Sequence, residues 1–246
     1  MPERRPSGRF RRDPPDGSIT TLSRPRDLTG IQDQRDALPD GPASAPEKRL
    51  FDLVGSVLGL TILAPALAAI ALVVRATSPG GVIYSQVRIG RNNVPFRMHK
   101  FRTMAADAEE RLAEVLHLNL HAGERADERL YKIADDPRVT RFGAVLRRYS
   151  LDELPQLVNV LKGEMSLVGP RPLTPSEDAH VPASARIRSS VRPGITGLWQ
   201  VLGRNELTFE EMMHLDVLYV TRPSLRRDVA LVARTFPVVL RGQRSC

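Results

Sequence analysis

The sequence predicts a helix-rich α+β fold that a single N-terminal helix attaches to a membrane. Residues 53–74 are 22 consecutive residues without a charged side chain, and about 20 such residues can cross a bilayer. Two strand-like runs, 82–88 and 94–102, flank a turn at residues 90–93 and indicate a β-hairpin. The rest of the chain carries apolar residues at helical spacing. Helices are therefore expected at residues 104–121, 152–161, 209–219 and 225–240.

The composition sets wide limits on function. The chain has 246 residues, of which 41% are hydrophobic, so it can form a packed core and is not disordered throughout. Its only cysteine, Cys246, excludes a disulfide scaffold and a cysteine-based zinc site. The net charge of +8 indicates an anionic partner. Nucleic acid, lipid headgroups and a phosphorylated substrate all fit that description.

The chain divides into three parts. Residues 1–50 hold 8 of the 20 prolines and one aromatic residue, Phe10, and too few apolar side chains to form a core. We therefore expect a disordered tail at residues 1–46, a membrane helix at 47–76 and a cytosolic domain at 77–246. The last helix, 225–240, alternates arginine with aliphatic residues. That pattern fits a helix in the membrane interface or a plain solvated face.

The membrane segment has a proline at its centre and basic residues at both ends. Pro65 removes a helical hydrogen bond and favours a kink after Ala64. Lys48 and Arg75 flank the segment, and basic flanks are usually kept on the cytoplasmic side. A re-entrant helix that enters and leaves by one face explains both features. A straight span, or a buried helix of a soluble protein, remains an alternative.

An acidic pair, Asp152-Glu153, is the main candidate for chemistry. Ser150 and Glu153 have the spacing of a capping box, so helix capping alone could explain the acids. Cations, however, are frequent around the pair, and two of them lie next to prolines that restrict their backbone. The candidate phosphate-binding residues are Lys100, Arg102, Arg148, Arg171 and Arg192.

Carboxylates among arginines suit phosphoryl chemistry. Nearby cations and a helix N-terminus keep an aspartate ionised and therefore nucleophilic. The same cations, together with Mg²⁺, neutralise the charge of a phosphoryl centre under attack. Asp152 and Glu153 are thus candidate catalytic residues and candidate Mg²⁺ ligands, and their spacing does not assign separate roles.

Eight blocks of sequence carry a family resemblance, and they occur in the family's order. They are 48–52 (KRLFD), 100–104 (KFRTM), 136–143 (DPRVTRFG), 150–157 (SLDELPQL), 161–166 (LKGEMS), 168–172 (VGPRP), 192–201 (RPGITGLWQV) and 237–242 (PVVLRG).

With these blocks the chain resembles the bacterial sugar transferase family, the monotopic phosphoglycosyl transferases in their minimal single-domain form. The resemblance implies transfer of a sugar 1-phosphate from a UDP-sugar to polyprenyl (undecaprenyl) phosphate, which releases UMP and initiates assembly of an exopolysaccharide, capsule or other glycan. It also implies that Asp152 forms an aspartyl phosphosugar, that Glu153 completes the dyad and that Mg²⁺ is the ion.

The resemblance further implies a re-entrant helix in the bacterial inner membrane, with the catalytic domain on the cytoplasmic face among membrane lipids. The family commonly has Ser-Pro at the helix break, whereas this chain has Ala64-Pro65. A nucleic-acid partner is not expected, because aromatic residues are only 5% and no nucleic-acid motif occurs. A non-catalytic scaffold of a polysaccharide assembly complex remains the alternative function.

Overall fold

The computed structural model describes residues 46–118, 133, 136–202 and 207–240. The predicted disordered tail lies outside these residues, apart from Pro46. The α-helices are α1 (Pro46–Thr77), α2 (Leu112–Val115), α3 (Arg141–Arg148), α4 (Gln156–Lys162), α5 (Pro175–Ala179), α6 (Leu198–Leu202), α7 (Phe209–Thr221) and α8 (Leu225–Leu240). The strands are β1 (Ile83–Ile89), β2 (Pro95–Phe101), β3 (Ser166–Val168) and β4 (Gly194–Thr196). The predicted helix-rich α+β class is confirmed.

Two small sheets position the loops around the candidate site. Strands β1 and β2 pair antiparallel, from Ile83 opposite Phe101 to Ile89 opposite Pro95, and confirm the predicted hairpin. Strands β3 and β4 pair in parallel, with Ser166 opposite Gly194. The second sheet brings the segment after Val168 next to the segment after Thr196, although these are distant in sequence.

The main core surrounds helix α7. Phe209 is completely buried at the start of this helix, and Val217 and Tyr219 are buried further along it. They belong to one cluster with Trp199 of α6 and Leu231 of α8. The predicted helices at 209–219 and 225–240 are confirmed, because each has an apolar face that packs into this cluster.

One predicted helix is wrong for most of its described length. Residues 104–111 form a β-bridge and turns, and only Leu112–Val115 are α-helical. Met104 pairs with Val139 in an isolated bridge, and Thr140 donates its backbone N–H to the Thr103 carbonyl at 2.9 Å. These contacts with a distant segment override the local helical pattern, and residues 119–121 lie outside the described part.

Helix α1 is 32 residues long and apolar enough to cross a membrane, with a mean hydropathy of 2.6 over its most apolar window. It continues through Pro65 as one helix, and the predicted bend stays a prediction. A narrow face, which includes Lys48, Ser56 and Val74, is buried against the rest of the protein. Much of the remaining surface is exposed and apolar, and Ile62 is 72% exposed.

Both ends of α1 contact the folded domain. At the N-terminal end, the Arg49 guanidinium donates to the carbonyls of Val160 and Leu161 at 2.7 and 2.8 Å, where α4 ends. At the C-terminal end, Ile70 and Val74 pack with Phe101 and Leu146. The helix is therefore fixed to the same domain before and after its exposed middle.

A buried polar network also fixes the N-terminal end of α1. Lys48 Nζ lies 2.9 Å from Asp52 Oδ1 and 3.2 Å from Asp228 Oδ2 on α8. Ser166 donates to Asp52 at 3.0 Å, and the Tyr219 hydroxyl donates to Asp228 at 3.0 Å. Because these groups are buried, their mutual pairing determines whether α1, β3, α7 and α8 can pack together.

Candidate active site

A cavity of about 400 Å³ lies between the turn that carries the acidic pair and the helices α1 and α8. Its polar wall includes Arg88, Lys100, Glu153 and Arg171. Helices α1 and α8 contribute a large part of its apolar wall. Their residues in that wall are Phe51, Gly55, Gly59 and Leu63 of α1 and Val232, Phe236 and Val239 of α8. The cavity thus joins a charged centre to the surface that faces a bilayer if α1 is a membrane helix.

The acidic pair lies on a tight turn and does not cap a helix through a capping box. Asp152 and Glu153 belong to the 3-10 turn Leu151–Glu153, directly before α4. Ser150 has a left-handed backbone with φ of 53° and makes no side-chain cap hydrogen bond, so the predicted capping-box alternative is wrong. The turn leaves Glu153 at the cavity wall, while Asp152 is buried beside it.

Lys100 reaches the acidic pair from strand β2. Its Nζ donates to Glu153 Oε1 at 2.8 Å, and both side chains are about three-quarters buried. The ion pair neutralises Glu153 and places a positive charge near Asp152, and the cavity contains both partners. Lys100 therefore lies at the cavity wall beside Glu153, and its predicted role as a phosphate ligand stays a prediction.

Burial raises the pKa of Asp152 above the ordinary carboxyl range. The positive charge of Lys100 opposes this shift, and the negative charge of Glu153 adds to it. The sequence predicts that cations keep this carboxylate ionised, whereas burial works against them. The charge state of Asp152 therefore depends on which groups enter the cavity and on the Lys100–Glu153 pair.

Arg171 lies on a loop that two buried arginines hold in place. Arg88 donates from Nη1 to the Pro172 carbonyl at 3.1 Å, and Arg188 donates from Nη2 to the Arg171 carbonyl. Each of these arginines also pairs with a carboxylate, Glu177 and Asp216 respectively. The loop backbone is thereby fixed, and the Arg171 side chain stays at the cavity wall.

Arg88 is a site residue that the sequence did not indicate. Burial lowers its pKa to about 10, and the nearby positive charge of Arg171 contributes to the same shift. Two guanidinium groups therefore line the cavity, and that of Arg88 already donates from Nε and Nη2 to Gln86 Oε1. Arg88 ends a predicted strand and has no sequence motif of its own, and two of its partners lie 84 and 89 residues away.

Three of the predicted phosphate ligands lie outside the cavity wall. Arg102 donates to the Gly81 carbonyl at 2.8 Å, and Arg192 donates to the Gly163 carbonyl at 2.7 Å. Arg148 is exposed and lies over the ring of Tyr149. The first two stabilise loops, and a phosphate-binding role for any of the three stays a prediction.

The acidic pair could hold Mg²⁺ only with help from a substrate. Asp152 and Glu153 offer two adjacent carboxylates, and Mg²⁺ commonly takes one or two carboxylates together with phosphate oxygens. Within the described part of the chain, no group of three or more His, Cys, Asp or Glu side chains could bind a metal. The residues fit an ion that arrives with a phosphorylated substrate.

Comparison with known proteins places this arrangement in a family. A family model described as "Bacterial sugar transferase" matches residues 43–242. Galactosyl transferase CpsE of Streptococcus agalactiae serotype III is 44% identical over 197 residues, which are 79% of this chain and 42% of CpsE. The chain thus spans about two-fifths of the length of that relative.

Two other relatives are matched over more of their length. Exopolysaccharide production protein ExoY of Rhizobium meliloti is 41% identical over 206 residues, which are 83% of this chain and 90% of ExoY. The UDP-glucose:undecaprenyl-phosphate glucose-1-phosphate transferase of Caulobacter vibrioides is 39% identical over 216 residues, with 82% of this chain and 74% of that protein covered. The match of the family model to most of the chain and the near-complete match to ExoY lead to one conclusion: the chain belongs to the bacterial sugar transferase family.

Proposed function

We propose that the protein transfers a sugar 1-phosphate from a UDP-sugar to undecaprenyl phosphate, the first step in assembling an exopolysaccharide or related glycan. The observation that carries this proposal is the cavity itself. It joins Glu153, Lys100 and Arg171 to apolar side chains of α1 and α8, and Asp152 lies buried beside Glu153. A soluble phosphorylated donor and a lipid phosphate can both reach such a site, and one relative is named for this reaction with UDP-glucose.

The proposed reaction has two balanced steps. A carboxylate oxygen of Asp152 attacks the sugar-linked phosphorus, the bond to the UMP oxygen breaks, and UMP leaves. An oxygen of undecaprenyl phosphate then attacks the same phosphorus, breaks the aspartyl bond and forms the diphosphate product. One phosphoanhydride is broken and one is formed, so no further energy source is required.

Three polar residues of the wall, Arg171, Lys100 and Glu153, have a defined task in this proposal. Arg171, fixed by its loop, binds phosphate oxygens through its planar guanidinium, and Lys100 compensates the charge of Glu153. Mg²⁺, held by Asp152 and Glu153, would supply charge neutralisation on the phosphate oxygens when bound. Because burial raises the pKa of Asp152, the nearby Lys100 is needed to keep the nucleophile ionised.

The reaction is tested with the full chain in detergent, Mg²⁺, undecaprenyl phosphate and a panel of UDP-sugars. We expect UMP release with at least one sugar. Without the lipid acceptor, a donor labelled in the sugar-linked phosphate should label the protein covalently, and Asp152→Asn should abolish that label. If no sugar gives UMP, the scaffold function is favoured, and a label that persists in Asp152→Asn places the nucleophile elsewhere.

We also propose that α1 is re-entrant and that the catalytic domain lies on the cytoplasmic face of the bacterial inner membrane, in contact with its lipids. Both ends of α1 contact one domain, and this supports a helix that enters and leaves by the same face. In a Cys246→Ser background, Glu47→Cys and Thr77→Cys should react with a water-soluble reagent from the same side of the membrane. Ile62→Cys should be protected, and labelling of the two ends from opposite sides would contradict the proposal.

A further inference from the structure

Trp199 belongs to the cavity wall, although nothing so far gives it a task. It lies on α6, is only 7% exposed and lines the cavity next to Thr196 and Gln200. The guanidinium carbon of Arg171 lies 5.2 Å from the centre of its ring. The ring face is therefore occupied by a cation that the proposed function assigns to phosphate binding.

The indole nitrogen of Trp199 is a buried donor without an acceptor among the described residues. Its Nε1 makes no hydrogen bond to any protein group in that part of the chain. A buried tryptophan N–H usually finds a partner, and a buried donor left without one is unfavourable. Because the nitrogen itself is enclosed, an acceptor on a ligand in the cavity reaches it only when a neighbouring side chain moves, and that contact would remove the penalty.

The surroundings of the indole decide which acceptor fits. Arg171, Arg88 and Lys100 give this wall of the cavity cationic groups, while its carboxylate, Glu153, is paired with Lys100. An anionic oxygen is therefore favoured over a neutral hydroxyl or carbonyl oxygen, because the cations stabilise it while the indole donates to it.

We propose that the Trp199 indole N–H, together with the Arg171 guanidinium, binds a phosphate oxygen of the substrate. This inference rests on the proposed function, because both of its substrates carry phosphate: the diphosphate of the nucleotide sugar and the headgroup of the lipid acceptor. The indole adds a directional donor to the charge of Arg171. Its contribution is expected to be lost when the N–H is removed while the ring is kept.

Ligand binding near Trp199 can be followed directly by fluorescence. The chain contains a single tryptophan, so the intrinsic tryptophan fluorescence of the full chain reports on Trp199 alone. We expect a saturable change in emission on titration with UDP or with undecaprenyl phosphate in detergent micelles, and none with uridine. A response to only one of the phosphates identifies the source of the bound phosphate. No response to either, or an equal response to uridine, would overturn the inference.

Trp199→Phe tests the hydrogen bond itself. Phenylalanine keeps an aromatic ring beside Arg171 and lacks the N–H, so we expect a roughly 10-fold rise in the Kd of the phosphate ligand that changes the emission, with no effect on uridine, measured by calorimetry. A non-natural analogue with sulfur in place of the indole N–H tests the same loss if the phenylalanine variant unfolds. An unchanged Kd in a folded variant contradicts the inference. UMP release by the wild-type chain decides the proposed function separately.

Discussion

Lys100 Nζ and Glu153 Oε1 form an ion pair at 2.8 Å in the wall of the cavity. Glu153 directly follows the buried Asp152 in the chain. The two partners act on the pKa of Asp152 in opposite directions, because Lys100 lowers it and Glu153 raises it. Burial of Asp152 has the larger effect and raises that pKa overall. Asp152, the proposed nucleophile, therefore ionises at a higher pH than an ordinary aspartate, and the reaction needs that higher pH.

The acid limb of the pH–activity profile is the pH range in which activity rises as Asp152 ionises. It should move in opposite directions when Lys100 and Glu153 are replaced. Lys100→Met removes the charge that lowers the pKa of Asp152, so the limb should shift to higher pH. Glu153→Gln removes the charge that raises it, so the limb should shift to lower pH. Single-turnover UMP release as a function of pH checks both shifts. Because both variants also lower the rate, the pH at the midpoint of the limb is compared with that of the wild type, and not the rates themselves. A limb that stays in place in both variants would show that another group controls the profile.

Arg188 should act on catalysis through the loop that carries Arg171. It pairs with Asp216 in the core and donates to the Arg171 carbonyl, two contacts that a lysine cannot reproduce together. We expect Arg188→Lys to lower kcat about 10-fold, because a misplaced guanidinium weakens transition-state contacts more than ground-state binding. The KM for the UDP-sugar should change less.

Arg186→Lys is the matched control. Arg186 lies on the same 3-10 segment, Ala183–Ser190, and also pairs with an aspartate, Asp178, but has no hydrogen bond to the Arg171 loop. Its variant should keep a near-normal kcat. Equal losses in the two variants would mean that the segment acts through general stability, and a rise in KM alone would place Arg188 in ground-state binding.

The sequence predicts elements whose determinants are local. The hairpin follows from alternation around the Asn92-Asn93 turn, and α8 follows from apolar spacing within its own 16 residues. The helix expected at 104–121 fails because the decisive contact, Met104 with Val139, joins distant segments. Spacing alone cannot detect such a contact.

The same distinction applies to the site. Asp152, Glu153, Lys100 and Arg171 lie in recognisable blocks; the last three line one cavity, and Asp152 is buried beside Glu153. Arg88 could not be identified, because the partners that tie it to the Arg171 loop and to Glu177 are far away in the chain. Arg102 and Arg192 lie in equally recognisable blocks, yet their described contacts are with loop carbonyls. Motif membership therefore does not distinguish a cation that lines the cavity from one that stabilises a loop.

Lys48 should be needed for the attachment of α1 to the domain. It is the cation between two buried carboxylates, Asp52 and Asp228, so Lys48→Met would leave them uncompensated. We expect a loss of about 3–5 kcal/mol in the free energy of unfolding. Thermal unfolding of the purified protein in detergent measures this loss, and Arg75→Met, an exposed change at the other end of α1, is the control.

The loss in Lys48→Met should depend on pH. Burial raises the pKa of Asp228, and Lys48 opposes that shift, so removing Lys48 raises the pKa further. A carboxyl group whose pKa is higher in the folded than in the unfolded state destabilises the fold as pH rises above the unfolded value. The difference in the free energy of unfolding between wild type and Lys48→Met should therefore be largest at neutral pH and become smaller on acidification. A deficit that does not change with pH would indicate lost packing and not an uncompensated charge.

Gly194 should tolerate no side chain, because strands β3 and β4 bring two backbones together there. A Cβ at this position would overlap the backbone nitrogen of Gly169, at the start of the Arg171 loop, and lie 2.5 Å from the Thr196 carbonyl. Backbone atoms cannot move aside as a flexible side chain can, so Gly194→Ala should cost about 1–3 kcal/mol of stability. It should also lower UMP release more than stability alone explains, because the loop is displaced. Gly81→Ala is the control, since a Cβ there meets its nearest atom at an ordinary 3.5 Å. Wild-type stability in Gly194→Ala would show that the two strands can separate without disturbing the loop.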